Sequence, residues 1–508
     1  MGIDVRNSKK HQAFLAAVTN MDIYPASIIE AGGLIWAMGR KDLDKYLLIA
    51  TICGCGCDCG LSPDFEGRVV RGEGMIVKIC PLAHGNAVAL RKALPFTAPR
   101  LVGLSGSVGC GDRLGLATPG HIRAACGSGF IPFLAQQSIR EMERTGRTPE
   151  DVMDDATWGV MQEGYTDGYG SDADHLKQPE DIDSCLAAGF TLFTVDPGDH
   201  VDNAADGYND AELEARFQKL PFADLGVTAD EMIFIYEGRQ FDLGQSMLSF
   251  DHHTLLKAAV KYSNAVLHTV DMYRHLREAA AGRPYELEVS VDETETPTTA
   301  LEHIFIASEL KRLGAKWVSL APRFTGRFEK GVDYIGDLSE FEVRFAEHAA
   351  IAKLFGGYKI SLHSGSDKFS IYHVVARYTG QLVHLKTAGT SYLEAIRVIA
   401  ACDPALFHEI FIFARERYET DKATYHVSAV MDRVPDISDI KDADLPKLLD
   451  HFDVRQMLHV TFGSVLTTIK PDGKLLFRDR LRDVLRRHEE KHYEILATHM
   501  KHHLELFG

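Results

Sequence analysis

The sequence lacks any apolar run long enough to cross a bilayer. It also lacks a secretion signal, because Met1-Gly2-Ile3-Asp4-Val5-Arg6 leads into the charged Lys9-Lys10-His11 and not into an apolar stretch. Arg6 stands where myristoylation wants Ser or Thr. Cysteine is scarce. Nine in 508 residues, an odd number, predict reduced thiols and a cytoplasmic setting, not a disulfide framework. Basic residues are outnumbered, 55 Lys and Arg against 72 Asp and Glu, for a formal charge of −17. That disfavours nucleic acid or an anionic membrane as partner, but leaves room for a small anion held by a few local cations. A dinucleotide fingerprint is missing too, since Gly103, Gly106, Gly109 and Gly111 do not fit G-x-G-x-x-G.

What remains is an ordinary globular composition, 45% hydrophobic and 25% charged, over a length that an α/β barrel can largely absorb. Residues 1–98 read as a separate N-terminal α/β region, with a strand at Met75–Cys80 and a helix at Ala87–Leu94 stopped by Pro95. Within it, Cys53, Cys55, Cys57 and Cys59 alternate with small or polar residues. Such a run could bind metal, but C-x-C spacing spreads the thiols along one face, whereas structural zinc sites favour C-x2-C. A Gly-rich buried strand is the simpler reading.

From residue 99 onward, short apolar runs alternate with helical patterns. The expected strands are Arg113–Ala117, Phe190–Asp196, Leu287–Val291, Trp317–Ala321, the Ile-Ser-Leu and Leu-Val-His-Leu runs within 356–390, Tyr425–Ala429 and Met457–Thr461. Helices are expected over Gly129–Thr145, Thr254–Ala281, Thr298–Leu313, Ser339–Phe355, Phe369–Thr379, Tyr392–Ala401 and Leu406–Arg417. Residues 167–183 read as a polar, acidic excursion, and 479–506 as a solvated amphipathic helix. Buried parallel strands are apolar and non-alternating, so this pattern predicts a (β/α)8 TIM-like barrel over 99–508. An N-terminal extra region precedes it, and an insertion at about 201–254 follows the second strand.

In such a barrel, chemistry sits at the carboxyl ends of the strands. The expected tips carry Asp199 and His200, then Asp292, Glu293 and Glu295, then Arg323, then His363, Ser364, Ser366 and Lys368, then His384 and Lys386. Histidines with a carboxylate suit a divalent metal and leave positions open for substrate oxygens. His200, His363 and His384 are the expected ligands. Glu293 or Glu295 is a further ligand or an acid/base, although acidic residues here could equally cap a helix. Asp199 beside a metal-bound histidine could act as general base. Arg323, Ser364, Lys368 and Lys386 would bind a small anion such as a sugar acid or sugar phosphate. Asp251-His252-His253 is another metal-like triplet, but lies away from the strand ends.

Gly111-Asp-Arg-Leu-Gly-Leu-Ala-Thr-Pro-Gly-His121, Pro197-Gly-Asp-His200, Glu288-Val-Ser-Val-Asp-Glu-Thr294, Pro322-Arg-Phe-Thr325 and Leu362-His-Ser-Gly-Ser-Asp-Lys368 together resemble the tagaturonate epimerase family. The resemblance runs from about residue 75 onward and leaves out the Cys53–Cys59 run. It implies a divalent cation (Mn, Zn, Fe, Co or Ni) and interconversion of D-tagaturonate and D-fructuronate in hexuronate catabolism. It also implies Asp199 as proton acceptor, a glutamate of 293–295 as donor, and His200 with later strand-end residues as ligands, Glu329 in reserve. The inverted carbon is not adjacent to the keto group, so retro-aldol cleavage and re-formation is the expected route. A sugar-acid isomerase or aldolase on the same barrel, a sugar-acid-binding protein, and a thiolate metal protein built on Cys53–Cys59 are the competing readings.

Overall fold

The computed structural model describes residues 5–52, 61, 63–72, 74–244 and 246–507. The Cys53–Cys59 run lies outside them.

The N-terminal region is built on alternation. Six antiparallel strands, Asp22–Ile23, Ile29–Ala31, Leu34–Lys41, Asp44–Ile52, Arg68–Gly72 and Met75–Pro81, form one sheet. Successive side chains of a strand point to opposite faces. Ile35, Ala37, Leu48, Ala50, Val77 and Ile79 meet Leu15 of the first helix, Val5–Thr19, on one face. Trp36, Met38, Leu47 and Ile49 meet Ala87 and Leu90 of the helix His84–Ala93, and Trp158 and Met161, on the other. Both faces are therefore covered, one of them by the rest of the chain.

Eight parallel strands close a barrel. They are β1 (Ser107–Gly109), β2 (Ile131–Ser138), β3 (Gly170–Leu176), β4 (Leu192–Val195), β5 (Glu286–Val291), β6 (Ser319–Pro322), β7 (Lys359–Leu362) and β8 (Val383–Lys386). Each strand pairs with its neighbour in sequence, and β8 closes on β1. The five expected runs from Phe190 to Leu385 correspond to β4–β8. The other three expected strands are corrected. Arg113–Ala117 is a loop whose backbone is held by Asp112, which accepts N–H bonds from Leu114, Gly115 and Ala117 at 3.0, 2.8 and 2.7 Å. Tyr425–Ala429 joins no sheet, and Met457–Thr461 falls in and just after the helix Phe452–Val460. That helix is buried on all sides within a second core of C-terminal helices, so its apolar run has no helical stripe to betray it.

The first three strands lie where other structure was expected. β1 is inside the Gly-rich stretch, β2 replaces the first half of the expected 129–145 helix, and β3 lies in the acidic excursion. The insertion consequently follows the fourth barrel strand. It comprises the helices Asp210–Phe217, Phe222–Leu225 and Ala229–Tyr236 and a two-stranded hairpin, Gln240–Asp242 with Met247–Ser249. Asp251 caps the helix His252–Ala279. His252 pairs with Glu237 and Glu214, and His253 with Asp210, all exposed, so the triplet is dispersed over separate partners.

The barrel interior is polar. Leu287, Val289 and Val291 of β5 pack outward in the apolar core, while Glu288 and Ser290 point inward. Thr194 Oγ1 donates to Asp172 Oδ1 at 2.8 Å, and Lys359 Nζ to Ser107 Oγ at 3.0 Å. The Ser107 hydroxyl in turn faces His384 Nδ1 at 2.9 Å. The last helix, Glu489–Glu505, is not solvated: His492, Leu496, Met500, His503 and Leu504 are buried. Among the described residues no helix is long and apolar enough to cross a membrane.

Candidate active site at the barrel mouth

β3 carries an irregularity that builds the site. Its pairing with β4 runs Phe193 to Ala173, then Val195 to Leu176, so one extra residue sits between. His175 adopts the left-handed region, φ 53°. A bulge of this kind re-aims a side chain that strict alternation would turn outward. Asp174 and His175, consecutive in sequence, thus both face the mouth. Asp174 accepts from Lys386 Nζ at 2.6 Å, Gln136 Nε2 at 3.1 Å and His175 Nδ1 at 2.8 Å.

β5 and β7 bring the rest. His363, just past β7, sets Nε2 2.7 Å from Glu288 Oε1 and Nδ1 3.1 Å from Asp292 Oδ1. The same Asp292 oxygen lies 3.4 Å from His175 Nε2. Glu293 pairs with Arg140 at 2.8 Å. Below them Lys386 joins Asp172, Asp174 and Glu288 at 2.8, 2.6 and 2.7 Å.

Charge is unbalanced here. Asp172, Asp174, Glu288, Asp292 and Glu293 find only Lys386 and Arg140 as permanent cations at ion-pair distance, among the described residues. Burial alone would raise the carboxyls and lower the imidazoles. Against it, Lys386 holds Glu288, and His175 with Lys386 holds Asp174, well below the usual carboxylate range. Asp174 and Asp292 raise His175, and Asp292 and Glu288 raise His363, above the ordinary histidine value against the effect of burial. A cluster that keeps extra protons on two imidazoles could exchange them for a divalent cation.

Asp174, His175 and His363 offer ligand atoms within 4.8 Å of one another. The hydrogen bonds divide their roles. Asp174 takes His175 Nδ1 and Glu288 takes His363 Nε2, which leaves His175 Nε2 and His363 Nδ1 facing Asp292. Carboxylates behind the outer nitrogens of metal-binding histidines are a recurring arrangement. Asp367, His499 and His503 also cluster. Their lone pairs are engaged, however. His503 Nε2 accepts from the Asp367 N–H at 2.9 Å, and its Nδ1 donates to the His499 carbonyl at 3.0 Å. His499 Nε2 is 2.6 Å from Asp367 Oδ1, and Arg455 pairs with the other oxygen at 3.0 Å. That cluster ties the C-terminal helix to the loop after β7.

The expected site residues separate accordingly. His363, Glu293 and Lys386 meet, and Arg323 and Ser364 line the same mouth. His384 lies inside the barrel, its Nε2 3.8 Å from Asp172, and burial lowers its basicity. Lys368 is buried, its ammonium spent on the carbonyls of Glu329, Val332 and Ser366 at 2.8, 2.5 and 2.9 Å, and burial lowers it to about 7. Asp199 and His200 line neither mouth cavity. They sit on the turn Gly198–His200, where Asp199, 68% exposed, pairs with Lys177 and His200 stacks on His268 at 4.1 Å. With Asn264 and Asp271 they line a separate open depression. Glu329 is bound by Ser428 and Gln456. The residues that sequence reasoning missed are Asp174, His175, Arg140, Lys330 and His459. The available signal was Ser171-Asp-Ala-Asp-His175, with acids at alternate positions inside an otherwise small-residue run.

The mouth encloses a cavity of about 330 Å³, walled by Asp292, Glu293, His363, Ser364, Arg140, Arg323 and Lys330, with Thr424–His426 above. A second cavity adjoins it toward Asp174, His175, Lys386 and His459.

Fold and site thus define a β/α-barrel with an acidic, histidine-bearing mouth. The model of the tagaturonate epimerase family matches residues 24–507. The chain is 45% identical over 485 residues, 96% of each chain, to the tagaturonate/fructuronate epimerase of Thermotoga maritima. It superimposes with a TM-score of 0.91 on a glycerol-bound crystal structure of the fructuronate-tagaturonate epimerase of Cohnella laeviribosi, at 39% identity and 99% coverage of both chains. The native crystal structure of that protein gives the same score and identity. The protein is a sugar-acid isomerase. It belongs to the tagaturonate epimerase family.

Proposed function

We propose that the protein interconverts D-tagaturonate and D-fructuronate in the cytoplasm, by retro-aldol cleavage and re-formation, with a divalent cation held by His175 Nε2, His363 Nδ1 and Asp292. The observation that carries the reading is the convergence of His175 and His363 on one Asp292 oxygen, at 3.4 and 3.1 Å, with Asp174 and Glu288 behind them. The family and the relatives' names supply the substrate pair.

The two sugar acids differ at C4, two carbons from the C2 ketone, so enolisation cannot invert it. A base removes the C4 hydroxyl proton, the C3–C4 bond breaks, and its electron pair moves through C3 to the ketone oxygen. The products are an enediolate and a C4 aldehyde. The aldehyde turns its other face, C3 attacks it, and the new C4 alkoxide takes back a proton. Glu293 is suited to both proton transfers. It lines both cavities, is one-third exposed, and is steadied by Arg140. Both Asp174 oxygens already accept, Oδ1 from His175 and Lys386 and Oδ2 from Gln136, so Asp174 orients His175. A bound divalent cation would supply Lewis-acid stabilisation of the negative charge that develops on the ketone oxygen.

The reading is tested by an NMR time course of D-tagaturonate with the protein, before and after chelation and with metal restored. Fructuronate should form, stop with chelator and return with metal. Conversion unaffected by thorough metal removal would overturn the cation, and no conversion with any metal would overturn the substrate assignment.

A further inference from the structure

Lys330 stands out among the cations of the mouth. It lines both cavities, and its ammonium donates to Ser364 Oγ at 2.6 Å. Among the described residues no carboxylate lies within ion-pair distance of it, whereas Arg140 is taken by Glu293, Arg113 by Glu141 and Lys386 by three acids. Arg323 is bound to the Thr294 carbonyl. Among the described residues the Ser364 hydroxyl is the one hydrogen-bond partner of this ammonium. Burial lowers its basicity, and Glu293 and Asp292 act on it only from beyond ion-pair distance, so it is short of a direct counter-charge.

The wall beside it has a matching deficit. His459 is 2% exposed, and among the described residues neither ring nitrogen has a hydrogen-bond partner. The chain makes room for this ring. A Cβ on Gly389 would fall 2.0 Å from His459 Cε1 and 2.7 Å from Nδ1, whereas Gly331, next to Lys330, meets the same ring at ordinary contact distance. Burial, with Arg113 and Lys330 nearby, keeps the imidazole neutral, so it offers one N–H and one lone pair. Ser364, which receives Lys330, follows His363 directly and is held at φ 50°, a conformation that a non-glycine residue adopts at a cost.

We infer that Lys330 and His459 form the carboxylate-recognition end of the site: Lys330 binds the substrate's carboxylate, and His459 donates to it and accepts from the adjacent hydroxyl. The inference rests on the epimerase reading and deepens it. After C3–C4 cleavage the carboxylate-bearing aldehyde must turn over without escaping. A charged anchor on the end that does not react permits rotation while preventing loss.

The test uses a hexonate, which carries the carboxylate but has no ketone and cannot react, titrated calorimetrically into the metal-loaded protein. Lys330→Met should weaken hexonate binding roughly 100-fold and Lys330→Arg roughly 10-fold, as expected for losing or misplacing a charge-assisted contact. In turnover, the loss in Lys330→Met should lie chiefly in KM. Unchanged hexonate affinity in Lys330→Met, or a fall in kcat with affinity intact, would overturn the assignment. If the wild-type protein fails to epimerise tagaturonate, the parent reading falls, while hexonate binding and its loss in the variant still judge Lys330.

Discussion

His175 and His363 lie with ring centroids 4.9 Å apart, although one stands on a bulge of β3 and the other follows β7. Each has one nitrogen occupied by a carboxylate and the other turned to Asp292. Replacing His175, His363 or Asp292 by Ala should therefore lower bound divalent metal and activity together, by about 100-fold or more in affinity, measured by elemental analysis after dialysis. Normal metal content in all three would remove the site.

The outer carboxylates should act through the histidines. Asp174→Asn and Glu288→Gln keep shape and remove charge, and outer-sphere changes of this kind typically cost about 10–100-fold in metal affinity or activity. Raising the metal concentration should recover part of the activity. A loss that metal does not recover, with unchanged affinity, would mean that either carboxylate works directly on substrate.

Glu293→Gln should lower kcat while leaving metal content and hexonate binding near wild type, because the change removes a proton acceptor and keeps the hydrogen bond to Arg140 available through the amide oxygen. Steps that pass protons through a placed side chain commonly gain about 10²–10⁴-fold from it. A fall in hexonate affinity matching the fall in kcat would assign Glu293 to binding instead.

The C-terminal helix should give a pH-dependent stability. Burial alone would push His499 down, but Asp367 at 2.6 Å and the charge of Glu394 outweigh it and raise the imidazole above its ordinary 6.5. That stabilisation is complete below about pH 6.5 and is lost as pH rises through the higher folded value. Asp367, which Arg455 and His499 hold well below 3.8 against burial, contributes fully above about pH 3.8 and loses its share as pH falls from there through the lower folded value. The Tm difference between wild type and His499→Gln should be largest near pH 5–6 and shrink toward pH 9. A difference independent of pH across that range would contradict the ion pair.

Much of the barrel was legible because β4–β8 present apolar outward faces, as in Leu287, Val289 and Val291, bounded by polar tips. β1–β3 were not. Their inward residues, Ser107, Gln136, Asp172 and Asp174, belong to a polar barrel interior, and β1 and β3, rich in glycine, serine and aspartate, have no hydrophobic signature. β2, Ile-Pro-Phe-Leu-Ala-Gln-Gln-Ser, runs straight into the helix Ile139–Thr145, so its apolar start reads as the first turns of that helix. The candidate site at the mouth was legible only where strand ends point to it. His363, Glu293 and Lys386 follow from strand ends, whereas His175 depends on a bulge, which pairing register reveals and period-two alternation hides. The Pro197-Gly-Asp-His200 motif drew attention to an Asp–His pair, but the structure places that pair on an exposed turn, and it brings Asp174 and His175 to the mouth. Helix Phe452–Val460 was misread because Met457, Leu458 and Val460 are buried together, and with it His459 went unnoticed.

The most direct measurement compares metal content and tagaturonate conversion in His175→Ala and His200→Ala. The account predicts that His175→Ala loses both, while His200→Ala keeps stoichiometric metal and activity within about twofold, as expected of a surface substitution. Loss of metal and activity in His200→Ala, with His175→Ala near wild type, would contradict it and move the centre to the Asp199–His200 turn.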